Sequence, residues 1–415
     1  MRPRRQLIAT AVVTALAGVP YPALAANAAF QTFFFGVCPG ANGALATRCG
    51  QTPGGLGNIS GDSESSLNPS QNLSQALAPI DLAQVRGAEA RDRGERARDG
   101  DEATPVASAS IDIGPFAIVA NARGAWFERE RDPLTDQERG LDGDTRALEL
   151  GIDRRVSERF FFGVLLAAEQ TEYEYDPELP GANFTPAARA GDAESDAWSF
   201  TGYFTVNAWE RGFVEFSLGY ASQEHTFRRN SVFQESTRTV AQTNVDTEGE
   251  TDGNVLWASV NLGHDWNSGA STFGPYAGIT YARSKVDAYT ENDLSGSGLN
   301  MTFGEFERTS TQGHVGLRFD RAISTGRGVF VPQLRVEYLH ELEDEAPEAT
   351  ASFVLDGAAT QFAFLGDEPE SGSLTAGIGA TAILPGGWIW FLNLDYLKSG
   401  DFERRRATLG LRAEF

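Results

Sequence analysis

Few residues in this chain could carry chemistry: four histidines, two cysteines and one Gly61-Asp62-Ser63 triplet. The triplet matches a nucleophile arrangement found in one class of esterases, but no oxyanion-hole partner accompanies it and no domain surrounds it. It reads as a chance match. His225, His264, His314 and His340 are scattered, and only His340 has a carboxylate beside it, Glu341, with Glu343 and Asp344 close behind. That grouping could poise a general base. Neighbouring residues on a strand point to opposite faces, however, which separates His340 from Glu341. The acidic runs Asp142-Gly143-Asp144 and Glu341 to Glu345 could hold divalent cations bridging to lipopolysaccharide. The plainer reading is solvated surface. Two cysteines are too few for a four-thiolate zinc fold. No catalytic, cofactor or metal site is therefore expected.

Placing these residues requires the compartment first. Arg2, Arg4 and Arg5 precede an apolar run from Leu7 to Val19 and an Ala23-Leu24-Ala25 cleavage site, so residues 1–25 read as a secretory signal. The Arg4-Arg5 pair leaves twin-arginine export as a minor alternative. The apolar run falls short of the roughly 20 residues that a spanning helix needs. Export makes Cys38 and Cys49 a structural disulfide in preference to a reactive thiol pair. Losing the signal removes three positive charges and no negative ones, which takes the chain from −23 to −26. So acidic a protein is a poor partner for nucleic acid. With 45 glycines, 27 phenylalanines and a mean hydropathy of −0.29, the chain is too polar for a helical membrane bundle and too aromatic for a disordered one.

From about residue 106 the apolar pattern takes a period of two. Val214, Phe216, Leu218 and Tyr220 alternate with Glu215, Ser217 and Gly219, and Leu374 to Ala382 alternate with Ser373 to Thr381. About twelve such strands are predicted, near 115–129, 143–156, 159–174, 194–207, 212–227, 252–266, 271–288, 304–322, 328–342, 371–385, 387–398 and 402–415. Short turns, such as Asn267-Ser268-Gly269, alternate with long polar joins near 130–142, 175–193, 228–251, 289–303 and 343–370. That sorting fits an outer-membrane barrel, with tight periplasmic turns and long outer loops. Aromatics near strand ends, among them Phe160, Phe161, Phe162, Trp198, Trp266 and Trp388, fit interfacial girdles. Residues 69–98 instead carry a helical pattern through Leu73, Leu77, Ile80, Leu82 and Val85. An arginine-rich half follows, with Arg86, Arg91, Arg93, Arg96 and Arg98. Residues 26–68 hold the two cysteines and a cluster at Phe30, Phe33, Phe34 and Phe35, with too few residues to build a core alone.

The chain closes on Leu409, Leu411 and Ala413 at every second position before a terminal Phe415, which looks like the signal that engages the barrel-assembly machinery. Val331-Pro332-Gln333-Leu334-Arg335-Val336-Glu337-Tyr338-Leu339-His340-Glu341, then Ala351-Ser352-Phe353, Gly377-Ile378-Gly379 and Gly410-Leu411-Arg412, resemble the autotransporter β-domain over residues 105–415. The resemblance implies an all-β fold: a 12-stranded antiparallel transmembrane barrel with an N-terminal helix in its lumen, moving or displaying an N-terminal passenger. Residues 69–104 take the place of that helix and linker. A helix 10–12 Å across fits a lumen of roughly a dozen strands. Inward-facing Glu149, Asp153, Glu215, Glu337 and Asp395 are expected partners for its arginines, or else lining for a wet pore. The passenger is where the chain departs from the family. Only residues 26–68 precede the helix, without repeats, and no Asn-Asn pair marks a cleavage point. A monomeric barrel in the outer membrane of a Gram-negative bacterium is expected, among lipid and lipopolysaccharide. The alternatives are a channel-forming barrel and a barrel hydrolase built on His340.

Overall fold

In a soluble protein the apolar half of an alternating strand would be buried; here the alternation is inverted. Leu148, Trp198 and Ile378 are 68%, 71% and 59% exposed, while Glu149, Asp153, Thr201 and Ser217 are buried. A sheet that turns apolar side chains outward and polar ones inward is built for lipid. The computed structural model describes residues 22–51, 67, 116–130, 138–157, 159–177, 185–235, 237–343 and 345–414, with side chains from Phe30 onward.

Twelve strands form the wall. They are β1 (Phe116–Arg129), β2 (Leu141–Ser157), β3 (Phe160–Tyr175), β4 (Gly191–Trp209), β5 (Gly212–Phe233) and β6 (Thr243–His264), followed by β7 (Ser271–Val286), β8 (Phe306–Arg321), β9 (Gly328–Glu341), β10 (Gly372–Leu384), β11 (Trp388–Ser399) and β12 (Phe402–Glu414). Each pairs antiparallel with the next, and β1 closes the ring on β12 from Ala117↔Glu414 to Arg129↔Phe402. Closure pairs the backbone around the whole ring, as a hydrocarbon environment requires.

The joins sort as the sequence predicts, with one difference in the third outer join. The expected loop over 228–251 is largely strand, because β5 and β6 run on as a paired hairpin to Phe233↔Thr243. Above Tyr220 the outward positions of β5 turn polar, at Ser222, Glu224 and Arg228, so this extension stands clear of the hydrocarbon. The last outer join, short as the predicted strand bounds leave it, is Gly400 and Asp401, and Gly400 supplies a φ of 52° for the tight turn. One aromatic also departs from the expected girdle. Phe161 points inward and packs with Leu165 and Tyr203, because it lies on the opposite parity from exposed Phe162.

The expected polar loops 289–303 and 343–370 carry structure of their own. Tyr289–Thr290, Met301–Phe303, Glu348–Phe353 and Phe362–Leu365 pair into a four-stranded sheet at the outer end of the barrel. Packed on this crown is the N-terminal segment: α1 (Pro22–Val37), a short 3-10 turn at Cys38–Gly40, and α2 (Gly43–Gly50). The expected disulfide is present, with Cys38 and Cys49 joined and their Cα atoms 5.6 Å apart.

Candidate functional site: the lumen wall and the outer mouth

All five predicted lumen acids face inward. Three are held by arginines of the wall itself. Asp395 accepts from Arg335 Nη2 at 2.8 Å and from Arg406 Nε and Nη2 at 3.1 and 2.9 Å. Asp153 pairs with Arg412, which also bonds Glu414 at 2.8 Å. Glu149 accepts from Asn121 at 3.0 Å and lies 3.6 Å from Arg123, which also pairs with Glu169. Glu215 and Glu337 are buried on the same inner face. Wall arginines thus give these three acids partners that the sequence reading did not name. Arg123, Arg335, Arg406 and Arg412 sit on strands, where inward parity brings them opposite the carboxylates. Arg86, Arg91, Arg93, Arg96 and Arg98 lie outside the described residues, as does the Gly61-Asp62-Ser63 triplet. Gly377 makes room for this network, since a Cβ there would meet Asp395 Oδ1 at 2.4 Å.

The histidines are dispersed. His264 accepts from Trp209 Nε1 at 3.2 Å at the turn end, and His314 lies 2.6 Å from Asn261 Oδ1 in the lumen. His340 faces outward beside Tyr338, whereas Glu341 turns inward. Glu341 accepts from Ser310 Oγ at 2.6 Å, Thr311 N at 2.9 Å and Gln312 Nε2 at 3.1 Å, which closes the upper seam between β8 and β9. Asp344 lies outside the described residues, and Glu343 accepts from Thr311 Oγ1. Asp144 on outward-facing β2 pairs with Arg146 at 3.1 Å. Among the described residues, no three His, Cys, Asp or Glu side chains group as metal ligands.

Above the lumen the chemistry becomes apolar. Phe30, Phe33, Phe34 and Val37 of α1 and Leu45 of α2 are buried against Phe353, Phe303, Met301, Phe233 and Tyr289. Phe33 stacks on Phe353 at 5.6 Å and Phe362 at 5.1 Å, while Phe34 meets Phe353 edge-on at 5.8 Å. Burying a side chain of this size contributes about 1.5–3 kcal/mol. Backbone bonds fix the register: Asn42 N donates to Leu355 O at 2.9 Å and Gly357 N to Gly40 O at 3.0 Å. At Gly298, φ is 76° and an added Cβ would meet Ala44 at 2.6 Å, so only glycine lets α2 come this close.

Polar anchors tie the crown to the wall. Arg229 on the β5 extension makes two bonds to Glu291, at 2.9 and 2.6 Å, and a third to Leu299 O at 3.1 Å. Met301 N donates back to Glu291 at 2.8 Å. Burial disfavours the charge on Arg229, but Glu291 outweighs it and the guanidinium is held above its usual range. Glu138, ahead of β2, bonds Arg129 at 2.8 Å and accepts from Asp367 N at 3.0 Å, strapping the first outer loop to the fifth. Burial would raise the carboxyl of Asp293, but bonds from Gly298 N and from Ser295 hold it below its usual range.

Sequence reasoning missed the crown, although the signal was there: Ala349, Ala351 and Phe353 alternate, as do Met301 and Phe303. Those stretches are short and set among glycines and acids, so they read as polar loop. The predicted assembly positions Leu409, Leu411 and Ala413 lie on the outward parity of β12, and Phe415 lies outside the described residues.

The profile of the autotransporter beta-domain matches residues 118–395. No curated protein matches the sequence significantly. Among solved structures, the translocator domain of the autotransporter NalP from Neisseria meningitidis superposes with a TM-score of 0.53 at 16% identity. The match covers 80% of this chain and 98% of that one, and shows a shared fold. The beta domain of the Bordetella autotransporter BrkA gives 0.48 at 15% identity, over 72% and 100% of the two chains. With the closed ring of twelve strands and a match spanning most of it, the chain belongs to the autotransporter β-domain family.

Proposed function

We propose that this outer-membrane barrel carries its own short N-terminal segment to the outer end of its pore, holds it there as a cap, and catalyses no reaction. One observation carries this reading. Residues 30–51 are packed into the outer mouth, whereas β1 begins at Phe116, paired near Glu414 at the turn end of the barrel. The chain from 52 to 115 has to join those two ends. The wall is a closed ring, and a stretch so rich in charge as 86–102 is costly in lipid. The lumen is the path left, and Arg86, Arg91, Arg93, Arg96 and Arg98 would then face its carboxylates. Residues 1–25 would direct export, and the barrel would sit in the outer membrane.

The polar lumen favours a second reading, a solute channel. Planar-bilayer recordings separate the two. The capped barrel predicts small or absent conductance from the intact chain; large, steady openings would favour the channel.

A further inference from the structure

The two rims of the barrel treat their exposed cations differently. At the outer rim several are neutralised within the chain: Arg228 pairs with Glu248 at 2.6 Å, Arg283 with Glu307 at 2.5 Å, and Lys398 with Glu403 at 2.9 Å, although exposed Arg189 makes no such pair among the described residues. At the turn end, Arg154, Arg159, Arg211, Arg321 and Arg327 are all exposed, and none makes an ion pair among the described residues. The acids of those turns are only Glu158 and Glu210. In a chain of net charge −23, five exposed arginines against two acids at one end, with no ion pair to any of the five among the described residues, make a locally positive field.

Their height in the wall is informative. Arg154 lies directly opposite Phe116 and Phe162, two exposed aromatics of the lower girdle, with its guanidinium 5.2 Å from the Phe116 ring centroid. Arg211 follows exposed Trp209, and Arg321 follows exposed Phe319 by two residues on the same face. Aromatic rings of this kind settle at headgroup depth, so the guanidinium groups lie level with lipid phosphates. Arg211 also adopts a φ of 62°, in the left-handed region where glycine or asparagine would be less strained.

We infer that this rim is a binding surface for the phosphate headgroups of anionic phospholipid in the inner leaflet. Guanidinium groups bind phosphate with two parallel hydrogen bonds, and their apolar stems can lie along the girdle. The inference rests on the reading that the chain spans a membrane as a barrel. Each arginine near an anionic surface is worth on the order of fivefold in binding.

The test uses the full chain refolded in mixed micelles containing phosphatidylglycerol or phosphatidylcholine, reading the midpoint of heat unfolding by gel mobility. Phosphatidylglycerol is expected to raise the midpoint by several degrees more than phosphatidylcholine, and 0.5 M salt is expected to remove the difference. A variant with all five arginines changed to Gln should lose the difference, and one with Arg146→Gln, Arg228→Gln and Arg405→Gln should keep it. Equal midpoints in the two lipids, selectivity retained by the five-Gln variant, or the same shift from inorganic phosphate would overturn the inference. Failure to form a heat-modifiable barrel in either lipid would count against the membrane reading instead.

Discussion

At Phe33 a single side chain joins the N-terminal segment to two strands of the crown, Glu348–Phe353 and Phe362–Leu365, through stacked contacts with Phe353 and Phe362. Truncation there leaves a cavity at the centre of the cluster, so Phe33→Ala should cost about 3–5 kcal/mol of cap stability. Limited proteolysis should show residues 30–51 cut at lower protease in this variant while the barrel stays intact; an unchanged cleavage pattern would count against the docking. His225, buried beneath the crown beside Phe227, makes a second test. Burial lowers its imidazole to about 4, against an ordinary value near 6.5. A lowered pKa means the unfolded chain binds the extra proton, so its contribution is complete above pH 6.5 and is lost as pH falls toward 4. The full difference is on the order of 3 kcal/mol. Thermal melts across this window should fall more steeply in the wild type than in His225→Gln.

Among the elements, the strands were legible in the sequence because each carries ten or more residues of period-two alternation, and lipid enforces the pattern on one face. The five tight turns were legible for the same reason. The crown was not, because its strands run two to six residues and take their order from packing against α1. The lumen acids were legible by parity alone; their wall partners Arg123, Arg335, Arg406 and Arg412 were not, since those arginines sit within strands whose pairing depends on register. The Cys38–Cys49 disulfide followed from compartment and count, while the docking of its segment into the mouth depends on contacts some 300 residues away in sequence, such as Asn42 with Leu355. At this scale the proposed lumen path is open to test. Deleting 69–98 should create or enlarge conductance in planar bilayers, whereas an unchanged current would argue that this stretch does not occupy the pore.

For the molecule as a whole, barrel and cap form one unit whose two ends face different surroundings. The turn end carries exposed arginines and the C-terminal strand, and the outer end carries the crown and the disulfide-joined helices. Assembly should depend on the terminal residue: removing Phe415 is expected to reduce the heat-modifiable barrel recovered from outer membranes, and normal recovery would count against its role as the assembly signal. The central claim is that residues 30–51 reach the outer surface and remain there. The direct measurement is antibody binding to an epitope inserted after Gly50, an exposed position at the end of α2. Labelling on intact cells is the predicted result; labelling only after the outer membrane is permeabilised would contradict the account.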